Sequence, residues 1–263
     1  MPYIKRIVKA GDTIEVKKYF SARFGKKDNS GRAQKENETS EKQRKVNENN
    51  AVEKLTWLIN ENFRDGDYHI VLTYSEENRP SADESVELLK KYLRKLRSEY
   101  RKAGSELKYI TVTEYETTNI HHHIIINKFD TSVISDLWLH GGVHFTPLYS
   151  NGEYSKLAHY FVKETNKTFK DAVVSGKRWN ASRNLRKPLI IKSVVQADCW
   201  MKNPKPVKGY YIVTDSVTED VDSFGYAFQK YTMVKIKSDK KGRNQNNDKR
   251  RSNNGKADGS SRA

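Results

Sequence analysis

The sequence predicts an α+β chain, with a central antiparallel sheet flanked by helices. Two observations lead there. Between residues 66 and 165, short β-branched and aromatic runs alternate with amphipathic stretches in the order β-α-β-β-α-β-α. Two of those runs, Leu107 to Glu114 and His121 to Asn127, follow one another across the turn-prone Thr117-Thr118-Asn119, as in an antiparallel hairpin. The 263 residues allow one core with extensions. Apolar residues make up only 35% against 31% charged, so part of the chain is expected to stay outside that core.

In chain order, Tyr3 to Val8 and Thr13 to Tyr19 alternate around Ala10-Gly11-Asp12, as a small hairpin does. Lys26 to Thr39 is polar and reads as a loop or a segment that orders on binding. Ser40-x-x-Gln43 has the form of a capping box, and Val52, Leu55, Leu58, Ile59 and Phe63 recur at helical spacing, so a helix is expected over 40–62. Tyr68 to Tyr74 (YHIVLTY), bounded by Asp65-Gly66-Asp67 and Ser75-Glu76-Glu77-Asn78, reads as a buried strand. Ser81-x-x-Glu84 caps a helix with the stripe Val86, Leu89, Leu93, Leu96 and Tyr100, which Gly104 ends. Its other side carries Lys90, Lys91, Arg94, Lys95, Arg97 and Arg101, either a solvated face or one turned to DNA. After the hairpin come a short helix over Thr131 to Leu139, a strand over Val143 to Leu148 and a helix from Ser155 to about Thr165. The chain is thus divided into an N-terminal hairpin, loop and helix (1–65), a core (66–190), an extension of that core (191–236) and a disordered basic tail (237–263).

Lys plus Arg exceed Asp plus Glu by 49 − 33 = +16, which points to a polyanionic partner. The tail from Lys237 holds nine basic and three acidic residues, a surplus of +6, which leaves +10 on the rest. A single cysteine, Cys199, excludes an intramolecular disulfide framework and a CxxC zinc ribbon, and suits a reducing, cytoplasmic compartment. No apolar run reaches the roughly 18 residues of a membrane span, so no membrane partner is expected. The fragment nearest to a phosphate-binding GxxxxGK[ST] loop, Ser175-Gly176-Lys177-Arg178, lacks the first glycine and the final hydroxyl, so no nucleotide cofactor is expected.

Three consecutive histidines, His121-His122-His123, run into Ile124-Ile125-Ile126. In a strand, His121 and His123 share one face while His122 points to the other. A hairpin closing over Thr117 to Ile120 would set Glu116 opposite His121 and Glu114 opposite His123, on the face of the paired imidazoles. Two imidazoles and a carboxylate suit Mg²⁺ or Mn²⁺ when a substrate phosphate supplies further oxygens, and they would also tolerate zinc. Further on, Tyr160 stands in a predicted helix with Lys156 at i−4 and Lys163 at i+3. Both amines share its face and could stabilise a phenolate or a phosphate. Tyr-x-x-Lys alone is a weak motif that favours packing; its position after the histidine hairpin distinguishes it.

These pieces resemble the HUH endonucleases, specifically the rolling-circle replication initiators of plasmids and single-stranded DNA phages. Ile70-Val-Leu-Thr73-Tyr74 is similar to the first strand motif, Glu114-Tyr115 with His121-His122-His123 to the metal motif, and Tyr160-Phe-Val-Lys163 to the nucleophile motif. Arg178-Trp179-Asn180-Ala-Ser182-Arg183-Asn184-Leu185-Arg186-Lys187-Pro188 resembles the Ser-Arg-Asn-Leu-x-x-Pro element of many phage replication proteins. The likeness spans roughly residues 66–188, and the order of motifs differs from that of relaxases, whose tyrosine precedes the histidines. It departs at His122, where the family has a hydrophobic residue.

The resemblance implies a ferredoxin/RRM-like HUH core and a protein that cuts single-stranded origin DNA, keeping the new 5′ end on a phosphotyrosine. Catalytic Tyr160 and Lys163, metal ligands His121, His123 and Glu114 (favoured over Glu116 by the family's Glu-Tyr pattern), and DNA contacts at Lys156, Arg178, Arg183 and Lys187 are the expected site. A bacterial host would supply helicase and polymerase. Two other readings are a single-tyrosine HUH transposase and a sequence-specific DNA-binding protein without catalysis. Tyr154, six residues before Tyr160, would stand about 120° around a helix from it and should not share its site. Glu164, one turn after Tyr160, is the nearest helical carboxylate for releasing the covalent complex.

Overall fold

A computed structural model describes residues 2–21, 40–115, 119–149, 152–170, 178–222 and 225–237. The polar stretch 26–39 and the tail beyond Lys237 fall outside the described residues. The first hairpin is β1 (Tyr3–Ala10) and β2 (Thr13–Tyr19), followed by α1 (Glu41–Asn62), β3 (Tyr68–Leu72) and α2 (Ala82–Lys102). Then come β4 (Tyr109–Tyr115), β5 (Ile120–Ile126), α3 (Thr131–Asp136), β6 (Val143–Pro147) and α4 (Ser155–Lys170). The remaining strands are β7 (Asn180–Ala181), β8 (Leu189–Val195), β9 (Tyr210–Ile212), β10 (Thr218–Val221) and β11 (Ala227–Lys235).

Local signals explain most boundaries. Ser81 and Glu84 make a full reciprocal capping box at α2, and Gly104, at φ +68°, takes the left-handed turn that ends it. At α1 the box is half made: Ser40 Oγ accepts from the Gln43 amide, but the Gln43 side chain donates to Asn47 instead. Helix α3 ends at Asp136, shorter than expected: Leu137 keeps helical dihedrals, but the Trp138 amide bonds back to Ser135, three residues earlier rather than four.

The chain is α+β: the expected antiparallel sheet flanked by helices is present, and a second antiparallel sheet stands beside it. The first has the order β6-β3-β5-β4-β7, and its β3-α2-β4-β5-α3-β6 part is the β-α-β-β-α-β arrangement of ferredoxin-like folds. On one face, Ile70, Leu72, Ile124 and Ile126 pack against Leu89, Leu93, Leu96 and Tyr100 of α2 and against Ile134 and Trp138. On the other, Ile110, Val112 and Ile125 pack against Leu55, Ile59 and Phe63 of α1 and Ala158, Phe161 and Val162 of α4. The second sheet, β10-β11-β2-β1-β8 with β9 beside β11, joins the N-terminal hairpin to residues 189–235.

Helix α1 lies between the two sheets. Leu55, Ile59 and Phe63 serve the first, while Trp57 packs on Val8 and Ala10 of the second. Gly11 lets the β1–β2 turn dock there. Its φ is +55°, a Cβ would lie 2.0 Å from the Asn60 carbonyl oxygen, and its amide donates to Glu61 Oε2 at 2.7 Å.

Charge is buried at the same junction. Glu53 of α1 accepts from Arg6 (2.8 Å) and Lys230 (3.0 Å), and Glu15 of β2 pairs with the same two cations. Burial alone would raise the Glu53 carboxyl, but Lys230, Arg6 and Lys17 outweigh it and hold it down at about 2. Because the folded value lies below the ordinary 4.5, this stabilisation is complete above that pH and is lost as pH falls toward about 2. Glu53→Gln leaves two part-buried cations short of a carboxylate and is expected to cost about 3 kcal/mol at neutral pH. Urea titrations of both proteins at pH 7 and pH 3 check this: the difference should shrink at the lower pH, and an undiminished gap would assign the loss to packing.

Candidate active site

Strand alternation divides the histidine triplet as expected. In β5, His121 stands opposite Glu114 and His123 opposite Val112, so all four share the face covered by α1 and α4. His122, opposite Thr113, points to the α2 face. The hairpin closes between Tyr115 and Ile120, two places away from the expected pairing, so Glu114 faces His121 rather than His123. A slip of two preserves every face, which is why alternation could not detect it. Glu116, the other carboxylate weighed for this site, lies outside the described residues.

Glu114 nonetheless reaches His123 on the diagonal, where His123 Nε2 donates to Glu114 Oε2 at 3.2 Å. The other ring nitrogen, Nδ1, lies 3.3 Å from Nε2 of His69 on β3. With Nε2–H of His123 committed to the carboxylate, Nδ1 is left to accept from His69. Burial and then His123 pull His69 down to about 4, and burial and then His121 pull His123 to about 4 against an opposing pull from Glu164. Both rings are therefore neutral at pH 7, the form that ligates metals.

The tyrosine of α4 closes over this face. The Tyr160 ring centroid is 5.4 Å from that of His123 and 6.5 Å from that of His69, edge to face in both cases. Phe161, fully buried, packs against both imidazoles and anchors this turn of the helix. Tyr160 itself is 39% exposed, within reach of a large substrate, and Glu164 is buried one turn on. Lys156 and Lys163 are exposed on α4, without an ion-pair partner among the described residues. Tyr154 precedes the helix, is buried, and donates its hydroxyl to Asp65 at 3.0 Å.

His122 is a core residue. Its ring nitrogens lie 2.9 Å from Tyr74 Oη and 2.9 Å from Thr113 Oγ1, beside Trp138, and burial first of all depresses it to about 3. A polar ring fits this apolar setting because two hydroxyls satisfy it.

The donor types, neutral imidazole and carboxylate, suit a divalent ion, a hard one only when substrate phosphate and water add oxygen ligands, and such an ion would replace the His123–Glu114 hydrogen bond. Among the described residues, no three His, Cys, Asp or Glu side chains stand close enough to enclose a metal ion. His69 is a site residue that the sequence pattern did not single out. It faces the site because β3 pairs with β5, with Val71 opposite His123, and the YHIVLTY alternation would have revealed it once that pairing was known.

The four basic residues expected at DNA do not form one surface. Lys156 is on the first turn of α4, Arg178 is half-buried, and Lys187 lines a cleft with Lys9, Arg64 and Arg186. Arg183 lies instead beside Arg97 and Arg101 of α2. In the Ser-Arg-Asn-Leu stretch, Ser182 Oγ accepts from the Tyr109 amide, Asn184 donates to Leu107 O and Glu106, and Leu185 packs on the core. Ser182, Asn184 and Leu185 thus brace the loop, while Arg183 points outward.

No helix among the described residues is long and apolar enough to cross a membrane. No curated protein and no solved structure matches the chain significantly. Residues 67–169, which run from β3 to α4 and hold His69, Glu114, His121, His123 and Tyr160 but not Arg178, Arg183 or Lys187, match the family model for the replication-associated protein ORF2/G2P, consistent with a replication-initiator role.

Proposed function

We propose that the protein is a DNA-nicking and strand-joining replication initiator of the HUH endonuclease type. The observation that carries this reading is the approach of exposed Tyr160 to the His123–Glu114 pair. Tyr160 Oη attacks the scissile phosphorus, an Oη–P bond forms, and the P–O3′ bond breaks. The phenolic proton is balanced by the one gained at the departing 3′ oxygen. The products are a 5′-phosphotyrosine and a free 3′-hydroxyl able to prime synthesis. The phosphodiester energy is conserved, so the step reverses and can rejoin ends. Drawn closer together than they stand here, His121, His123 and Glu114 would hold Mg²⁺ or Mn²⁺, which when bound supplies positive charge against the phosphate. Lys163 and Lys156 flank the tyrosine and offset charge on phenolate and phosphate. Unwinding and synthesis fall to host helicase and polymerase, in a bacterial cytoplasm.

Incubation with Mn²⁺ and a labelled pool of single-stranded oligonucleotides should give a protein–DNA adduct that survives a denaturing gel. The released fragments should be extendable by a polymerase. Binding of the pool without adduct or cleavage would favour the non-catalytic DNA-binding reading.

A further inference from the structure

Helix α2 carries Arg94, Arg97 and Arg101 at i, i+3 and i+7, one flank of the helix, about 110° from the middle of its buried face. All three are exposed. This flank overhangs the β4–β7 edge of the first sheet, where a groove of about 650 Å³ runs between Arg97 and Arg101 on one wall and Arg183 and Asn184 on the other. Arg94 continues the wall toward the start of the helix, in a shallower depression shared with Arg97 and Tyr109. Among the described residues none of the four arginines has a carboxylate within ion-pairing distance. The groove's own carboxylate, Glu106, receives a hydrogen bond from Asn184 at 3.2 Å.

We propose that this arginine groove is a second DNA-binding surface, which grips the phosphate backbone of duplex DNA away from the cutting centre. Several features select that ligand. The helix wall from Arg94 to Arg101 extends about 10 Å, and Arg183 faces it, so the charges form a track rather than a point. The aromatic residue there, Tyr109, is half-buried with Arg97 over its ring at 6.0 Å, so it offers no free platform for stacking unpaired bases. Guanidinium groups suit phosphate oxygens. The bracing of Ser182 and Asn184 on β4 and its approach holds Arg183 in place before any ligand arrives.

The groove is separate from Tyr160. Tyr109 precedes Glu114 by five residues on β4, about 17 Å along the strand, and by alternation it faces α2 rather than α4. A single strand in the active site and a duplex in the groove can therefore be held together, as a nicking enzyme needs at the junction of an opened origin. Only that use rests on the proposed nicking function.

The test is equilibrium binding of the full chain to a labelled 30-base-pair duplex across a series of salt concentrations, without divalent metal. For every phosphate that the protein ceases to neutralise, the slope of log K against log salt should fall by about 0.9. The variant with Arg94, Arg97, Arg101 and Arg183 all changed to Gln should lose about three units of slope and at least tenfold in affinity. Removing the same charge elsewhere, at exposed Lys192, Lys202, Lys205 and Lys208, should change the slope by less than one unit. Arg101→Gln alone, a minimal surface change, should lower it by about one unit. Equal slopes for the two fourfold variants, or an unchanged slope in Arg101→Gln, would overturn the proposal. Binding is read apart from cleavage, so a chain that grips duplex here yet never cuts DNA upholds the groove and removes the nicking reading. One that cuts DNA but keeps its slope does the reverse.

Discussion

Tyr160→Phe is expected to abolish the covalent adduct, lowering its rate of formation by at least about three orders of magnitude, while single-strand affinity stays within about twofold. The substitution removes one oxygen and leaves the ring, which packs edge to face on His123 and His69, in place. Phe161, Val162 and Ala158 bury the helix beneath it, so the backbone of α4 has no reason to move. Phosphate contacts rather than a tyrosine hydroxyl supply most of the affinity for nucleic acid. A denaturing gel for the adduct and a filter-binding curve for affinity separate the two quantities. An adduct at the wild-type rate would place the nucleophile elsewhere. Tyr154 would be a poor substitute, because its buried hydroxyl is given to Asp65, and burial and then Asp65 raise its pKa.

His123→Ala and His122→Ala should fail in opposite ways, although the residues are adjacent. His123 touches Glu114, His69 and the Tyr160 ring, so its loss is expected to cut cleavage by about 10²-fold or more, the order seen when a group stabilising transition-state charge is removed. His122 touches none of them. Its removal leaves a cavity beside Trp138 and two part-buried hydroxyls, on Tyr74 and Thr113, without their partner. That should cost about 2–3 kcal/mol of stability with cleavage by the folded protein retained. Thermal melts beside cleavage rates at about 20 °C, well below a typical mesophilic melting range, decide the matter. Loss of cleavage in a stably folded His122→Ala protein would mean that the two faces of β5 have been assigned the wrong way round.

The division of the triplet was legible in the residue string because it rests on a property of one strand: side chains alternate wherever the pleat is regular. The same holds for the capping box of α2 and its stop at Gly104, where donors and acceptors lie within a few residues of each other. Helix α1 was legible as a helix but not in its role. Its stripe of Leu55, Ile59 and Phe63 serves the first sheet, but Trp57, outside that stripe, packs on the second, which the stripe did not announce.

Everything that required a partner distant in the chain was decided by tertiary structure. The second sheet brings Tyr3–Ala10 against Leu189–Val195, and Thr13–Tyr19 against Ala227–Lys235, pairings between the two ends of the chain that no local propensity encodes. Glu114 opposite His121, rather than His123, came from how the β4–β5 hairpin closes, since two registers differing by two residues bury the same side chains. His69 reached the site only because β3 lies beside β5, and Arg183 met the arginines of α2 only because Ser182 and Asn184 tie their loop to β4. Composition, period and caps are short-range and were present in the residues themselves. Register and neighbourhood depend on which apolar faces find one another when the whole chain is buried, and that selection exists only in the folded molecule.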